Sequence, residues 1–356
     1  MSDSVAVVDC DTHFWQPLEE WEPYIDPARR DVVVEYVAAS DPMPKLDVAV
    51  REKLLADMAQ IRGGDHARER LQWMDDEGIA VNVIYPGWLH ASAPDPVVAS
   101  AAARAMNRWA ADFASAAPDR LLPCMTLPMG FPDRALAELR YAIDELGLRV
   151  VFAAPTPDRA RRWSDTALDP LWAAMQDAGV VMTFHEFTRL GGDAPFVARE
   201  SYRDSYALMY LCGHSVEAQL AVMDVIGGGM LERFPRLKVG FVEAHVAWLP
   251  GWLALMDSLW PRISTSYRER TGTGTLALRP TEYFARQCFI TAFPDDAWIA
   301  QVVEHVGEDC VTVATDFPHP QTRYGVVKMF EDQQADLPRG VREKILGGNA
   351  ARIFGL

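Results

Sequence analysis

The chain has 356 residues, of which 49% are hydrophobic and 24% are charged, a composition typical of a soluble protein with a large core. Its 34 Lys and Arg residues stand against 50 Asp and Glu residues, which gives a formal net charge of -16. Such a surface repels phosphate backbones and argues against nucleic-acid binding.

The N-terminus and the cysteines indicate the compartment. The opening "MSDSVAVVDC" lacks the basic region of a signal peptide, and no apolar run approaches the length of a membrane span. The five cysteines are dispersed along the chain, as expected for reduced thiols in a core. We therefore expect a cytoplasmic protein that does not bind membranes.

Eight short runs rich in apolar and β-branched residues, separated by stretches with helical periodicity, predict repeated βα units. The runs span residues 5–11, 80–86, 121–128, 148–155, 180–186, 237–245, 287–293 and 311–319. Gly78, Gly147 and Gly179 stand where a helix should end before the next strand. Eight such units close a parallel barrel, so we predict a (β/α)8 TIM barrel that forms one domain over residues 1–356.

Two connections are longer than such a barrel requires. Residues 14–66 follow the first strand, and residues 187–213 follow the fifth. Both leave from the carboxyl ends of strands, where substrate pockets are built. We therefore predict long insertions after strands 1 and 5 that border the functional site.

The first strand, "VVDCDTH", ends in alternating acidic and imidazole side chains. Asp11 and His13 share one face of the strand, about 7 Å apart along the backbone, a spacing that suits two ligands of one ion. His185 ends the fifth strand and Asp316 the eighth, and all strand ends of a parallel barrel meet at one mouth. Nitrogen and oxygen donors without sulfur are typical of catalytic zinc, manganese or iron. We predict one divalent metal ion, zinc first, with manganese or iron as alternatives.

Further polar and aromatic residues follow the strand ends. His245 is predicted to transfer protons, because imidazole titrates near neutral pH, and its alternatives are a fifth ligand or a structural role. His319 is predicted to orient the eighth-strand aspartate or to contact substrate. His214 either reaches the pocket or caps a helix. Arg189 is a predicted contact for a substrate anion, or else a surface charge. Trp15 is a predicted wall of the substrate pocket, or else a core residue.

Several longer blocks resemble one family. They include "ERLQWMDDEGIAVNVIYP", "GGMLERFPRLKVGFVEAHVAWLPGWL", "VATDFPHP" and the closing "REKILGGNAARIFGL". With these blocks the chain resembles, over nearly its whole length, the amidohydrolase-related family of metal-dependent decarboxylases and hydrolases. Aminocarboxymuconate semialdehyde decarboxylase and γ-resorcylate decarboxylase typify this family.

The resemblance implies roles for individual residues. It makes Asp11, His13, His185 and Asp316 the metal ligands and His245 the acid or base, and we take His245 and Asp316 as the catalytic residues. Muconate-type members have His-x-His on the first strand, whereas this chain has Asp11-Thr12-His13. That departure leaves the metal open between zinc and manganese.

The predicted function is non-oxidative decarboxylation of a small aromatic or conjugated carboxylic acid. The alternative is hydrolysis of an amide, a lactone or a C–C bond by a metal-activated water. The sequence does not separate the two, because both need one ion and one proton-transfer residue. The family resemblance and the Trp-rich segment "WLPGWLALMDSLWP" also predict a homodimer.

Overall fold

The computed structural model describes residues 6–15, 17–40, 52, 63–87, 90–156, 161–186, 205–271 and 276–356. Eight parallel strands form a closed barrel in which each strand pairs with its neighbours in the chain and β8 pairs with β1. The strands are β1 (Val7–His13), β2 (Ile79–Tyr85), β3 (Leu121–Thr126), β4 (Val150–Ala153), β5 (Val181–His185), β6 (Lys238–Val242), β7 (Cys288–Ala292) and β8 (Val311–Val313). Each overlaps one predicted run, so the predicted (β/α)8 barrel is confirmed.

Helices surround the barrel. Those that the structure describes are α1 (Leu18–Trp21), α2 (Arg30–Ser40), α3 (Ala67–Glu77), α4 (Pro96–Ala114), α5 (Pro132–Asp144), α6 (Asp169–Ala178), α7 (Tyr206–Leu211), α8 (Glu217–Gly227), α9 (Met230–Arg233), α10 (Leu249–Thr271), α11 (Pro280–Gln287), α12 (Ile299–His305), α13 (Val326–Gln333), α14 (Arg339–Glu343) and α15 (Asn349–Phe354). Within the described ranges, no helix combines the length and the apolar character that crossing a membrane requires.

Burial explains why the strands read as continuous apolar runs. Every residue of β1, β5 and β7 is buried, because helices cover the outside of the barrel while side chains fill its interior. Polar residues in such strands have no solvent to face, so those at the strand ends must find partners inside the barrel mouth.

The predicted helix ends are also present. Gly78 follows α3 with φ +72°, and Gly179 follows α6 with φ +68°, a left-handed conformation that glycine adopts without steric cost. Each donates its backbone N–H to a carbonyl of the last helical turn. These two glycines therefore set where the chain turns into β2 and β5.

The two long connections begin at the mouth, as predicted. The one after β1 contains α1 and α2, whose Trp21 and Val33 side chains are fully buried in the core. Residues 41–62, apart from 52, lie outside the described residues. After β5, residues 187–204 also lie outside them, and the chain continues with α7, the π-helical turn Cys212–Val216 and α8.

Candidate metal centre at the barrel mouth

Three of the four predicted ligands meet at one point. Asp11, His13 and His185 each offer a donor atom that lies within 4.8 Å of the others, together with one from Glu243. All four side chains are buried. Asp11 and His185 are 174 residues apart in the sequence. Closure of the barrel brings them together, because both lie at the carboxyl ends of strands.

The fourth predicted ligand, Asp316, joins this group through His13. Its Oδ1 lies 3.3 Å from His13 Nε2 and accepts a hydrogen bond from His319 Nδ1. Asp316 lies beyond the end of β8 with φ +63°, and its backbone N–H donates to the carbonyl of Asp11 at 2.9 Å. This main-chain contact brings the eighth-strand carboxylate to the first-strand ligands.

Unpartnered buried atoms indicate what these residues can hold. Asp11 Oδ2, His13 Nε2 and Asp316 Oδ2 are buried and make no hydrogen bond in the part of the chain that the structure describes. A buried polar group left in this way costs about 1–3 kcal/mol. A divalent cation coordinated by these atoms would satisfy all three, so the residues fit a metal of the zinc or manganese type.

Local contacts fix the orientation of His185. Its Nδ1 donates to the backbone carbonyl of Glu186 at 2.5 Å, which leaves Nε2 as the nitrogen directed into the centre. Nε2 lies 3.1 Å from Asp11 Oδ1. Burial disfavours the imidazolium, but the carboxylates of Asp11 and Glu243 outweigh burial and raise the pKa of His185 to about 10. In turn, burial opposes ionisation of Asp11, but His185 and His13 together outweigh burial and lower the pKa of that carboxyl.

Asp9 lies one layer below the ligands. Its carboxylate accepts hydrogen bonds from the Thr315 backbone N–H at 3.0 Å, the Thr315 hydroxyl at 2.5 Å and the Asp11 backbone N–H at 3.3 Å. Burial raises its pKa to about 7, against the opposing effect of the Thr315 hydrogen bonds. Asp9 thus ties β1 to the residue that precedes Asp316.

The sequence analysis missed Glu243. This residue directly follows β6, is buried and has φ +52°. Its Oε2 lies 3.4 Å from His185 Nε2, and its Oε1 lies 3.1 Å from His214 Nε2. A carboxylate at the end of a buried apolar run is the signal that identified Asp11. The same signal is present at Glu243 in "LKVGFVEAH", where His245 was chosen instead.

His245 lies at the edge of the mouth, two residues beyond Glu243. Its side chain is 31% exposed, and its Nδ1 donates to Asp296 Oδ1 at 3.2 Å. The ring packs against Phe293 with 5.3 Å between ring centroids. Among the described residues, His245 is part of neither the cluster of Asp11, His13, His185 and Glu243 nor that of His13, Asp316 and His319. Its predicted role in proton transfer stays a prediction.

Three of the four predicted substrate contacts lie around the centre. His319 stacks on His13 with ring centroids 4.0 Å apart, and the Trp15 ring lies 6.2 Å from the His319 ring. Burial disfavours the imidazolium of His319, but Asp316 and other carboxylates outweigh burial and raise its pKa to about 8. His214 is buried against Glu243. Arg189 lies outside the described residues.

The wall of the centre includes one more residue that the sequence analysis did not name. Tyr85 ends β2, is fully buried, and its ring centroid lies 4.8 Å from that of His185. Its position at a strand end is the only sequence signal that would have found it, because a buried tyrosine is otherwise an ordinary core residue.

Known proteins with similar sequences or folds include several decarboxylases. The chain is 26% identical over 256 residues to 2-amino-3-carboxymuconate-6-semialdehyde decarboxylase of Dictyostelium discoideum, which covers 71% of this chain and 66% of that enzyme. The solved 5-carboxyvanillate decarboxylase of Sphingomonas paucimobilis superposes with a TM-score of 0.77 at 23% identity, over 99% of this chain and 100% of that one. A dihydroxybenzoic acid decarboxylase of Polaromonas, solved with manganese and an inhibitor, gives a TM-score of 0.68 at 19% identity, over 99% and 97% of the chains.

The family itself follows from a match over almost the entire length. The family model described as Amidohydrolase matches residues 8–356. This range contains every predicted ligand and all eight strands, apart from the first residue of β1. The chain therefore belongs to the Amidohydrolase family.

Proposed function

We propose that the protein is a metal-dependent, non-oxidative decarboxylase of a small aromatic or conjugated carboxylic acid. The observation that carries the proposal is the buried cluster of donor atoms from Asp11, His13, His185 and Glu243, to which Asp316 is joined through His13. Asp11, His13 and Asp316 each have a buried atom without a hydrogen-bond partner among the described residues. The decarboxylase activities named for the similar proteins favour this reaction within the family.

We propose that Asp11, His13, His185 and Asp316 hold one divalent ion. Zinc suits their nitrogen and oxygen donors, and manganese is the competing choice because a similar solved decarboxylase contains it. When bound, such an ion supplies a Lewis acid that polarises the substrate carboxylate and a neighbouring oxygen. Elemental analysis of the purified protein, followed by reconstitution with each metal, identifies the ion.

Residues around the ion would bind and orient the substrate. Trp15 and His319 border the same side of the centre and are suited to contact the substrate ring and its oxygens. Burial of the ligands excludes bulk water and strengthens every charge interaction with the substrate. Asp316 would act both as ligand and as a catalytic residue. Arg189 stays a predicted anion contact.

Decarboxylation replaces the C–CO₂ bond by a C–H bond, so a proton must reach the substrate carbon. We propose that His245 exchanges this proton between solvent and the site, because its side chain is partly exposed and its ring is oriented by Asp296. The Nδ1–H bond to Asp296 leaves Nε2 available to exchange a proton.

The decisive experiment measures carbon dioxide. Protein loaded with manganese or zinc should release it from dihydroxybenzoates or other aromatic carboxylic acids, and a chelator should stop the release. Metal-loaded protein that turns over only esters, lactones or amides would establish the hydrolase alternative instead.

We also propose that residues 1–356 form one domain and that two copies form a homodimer. Exposed apolar side chains on the packed helices α8 and α10, Met223, Leu255 and Leu259, are suited to a subunit interface. By contrast, Trp252, which the sequence analysis considered for this surface, donates to the Gln219 carbonyl. Light scattering during size-exclusion chromatography measures the assembly. The cytoplasmic location stays a prediction.

A further inference from the structure

Glu243 and His214 form a buried pair on the β6 side of the metal centre, outside the four ligands proposed to hold the ion. We propose that Glu243 is an additional catalytic carboxylate that contacts the substrate, and that His214 is the positioning residue that directs it towards the centre. The inference rests on the function proposed above, because it assigns two further residues to the same site.

The backbone holds Glu243 in a costly conformation at the mouth. A left-handed φ of +52° is strained and uncommon for a residue other than glycine, and such residues are concentrated at functional sites. The backbone N–H donates to the Thr291 hydroxyl of β7 at 3.1 Å, which anchors this conformation. Glu243 Oε2 is then 3.4 Å from His185 Nε2, the nitrogen directed into the centre. A substrate group bound beside His185 would touch this oxygen.

Both ring nitrogens of His214 are engaged, so the ring cannot rotate freely. Nδ1 donates to the Tyr210 carbonyl at 2.8 Å, and Nε2 donates to Glu243 Oε1 at 3.1 Å. The ring also stacks on Tyr210 with 3.5 Å between centroids. His214 lies in the π-helical turn Cys212–Val216, an irregularity that is frequent at functional sites. The turn presents His214 to the barrel mouth from the segment that follows β5.

The cost of burying the Glu243 charge indicates that the pair does more than fill space in the core. Glu243 adds a third carboxylate to a buried centre that already contains Asp11 and Asp316. Burying such a charge for packing alone is unfavourable, because apolar residues of similar volume usually serve a core as well or better. His214 offsets this cost while keeping one carboxylate oxygen directed at His185.

Kinetics of two His214 variants tests the positioning role. His214→Leu removes both hydrogen bonds, whereas His214→Gln keeps a donor close to the position of Nε2. We expect kcat of the Leu variant to fall at least about tenfold, with KM and bound metal nearly unchanged, and the Gln variant to recover most of the loss. His305→Leu is the matched control, because exposed His305 makes the same Nδ1 contact with a carbonyl four residues earlier.

A double variant tests whether His214 acts through Glu243. Adding His214→Leu to Glu243→Gln should cause little further loss of kcat, because the positioned group is already altered. If the double variant loses kcat by the product of the two single-variant losses, the two residues act independently and the inference is overturned. An unchanged kcat in Glu243→Gln would also overturn it.

A crystal structure decides the question independently of the reaction. In metal-loaded His214→Leu protein, the Glu243 carboxylate should turn away from His185, and a carboxylate that keeps its position would overturn the positioning role. If the wild-type protein releases no carbon dioxide, the proposed function fails, yet the position of this carboxylate still tests the pair. The kinetic comparison would then use whichever hydrolysis the protein catalyses.

Discussion

The candidate metal centre has two sides that are built differently. On the β1/β8 side, main-chain contacts hold the ligands: the His13 N–H donates to the Phe317 carbonyl at 2.6 Å, and the Asp316 N–H donates to the Asp11 carbonyl at 2.9 Å. On the β5/β6 side, contacts between side chains join His185 to Glu243, and Glu243 to His214. On the first side the backbone therefore fixes where the proposed ligands lie, whereas on the second side the orientation of His185 and Glu243 depends on neighbouring side chains.

The largest expected effect comes from Asp11, which contacts His13 and His185 and so connects the two sides. Asp11→Asn replaces a charged ligand by a neutral one and leaves both imidazoles without their shared carboxylate. Substitution of residues that only hydrogen-bond to metal ligands typically lowers metal affinity by about 10- to 100-fold. Because Asp11 is a proposed ligand itself, we expect metal affinity to fall more than about 100-fold, and activity to fall with it. Elemental analysis after dialysis measures the loss. Exposed Asp336→Asn is the control, and full metal retention in Asp11→Asn would contradict the proposed ligand set.

Protons should compete with the ion on the β5 side. The pKa of His185 is raised to about 10, so this ligand carries a proton at neutral pH that the metal must displace. Apparent metal affinity should therefore rise with pH, by about tenfold per unit between about pH 6.5 and about pH 8.5. Competition with a chelating dye measures the slope. The same slope is expected in His245→Gln, and a flat profile in the wild type would show that His185 binds no metal.

The regular parts of the molecule could be predicted because they depend on local patterns. Each βα unit has an apolar run and a helical periodicity, and some helices end at a glycine such as Gly78 or Gly179. Barrel closure then brings the strand ends together whatever their spacing in the chain. For this reason, Asp11 and His185 could be assigned to one site although 174 residues separate them.

The irregular parts could not be predicted in the same way. β6 ends at Val242, so the residue at the strand end is Glu243. Glu243 and His245 both have a left-handed φ, which turns the backbone before and at His245. No local pattern signals such turns in residues other than glycine. The partnership of Glu243 with His214 also depends on a π-helical turn, which has no simple sequence periodicity.

Asp9 tests the β1/β8 side with a smaller change. Asp9→Asn keeps the volume but removes a carboxylate oxygen that accepts from Thr315, and thereby loosens the link between β1 and the residue before Asp316. We expect metal affinity to fall by about tenfold, as for other residues that orient ligands. Titration with manganese measures this change. Equal affinity in Asp9→Asn and the wild type would mean that the main-chain contacts alone position Asp316.

The smallest effect is expected at His245, where the second side of the centre reaches solvent. Its side chain is 31% exposed. If His245 passes protons between solvent and the centre, as proposed, water and buffer should partly replace it. His245→Gln should therefore lower kcat less than about tenfold, below the 10²–10⁴ typical of a residue that transfers a proton in the transition state, and imidazole buffer should restore the rate. Asp296→Asn should give a similar loss, because it frees the ring that His245 must keep oriented, whereas exposed Asp295→Asn in the same turn should not. A loss above about 100-fold that imidazole does not restore would assign the proton transfer in the transition state to His245 itself.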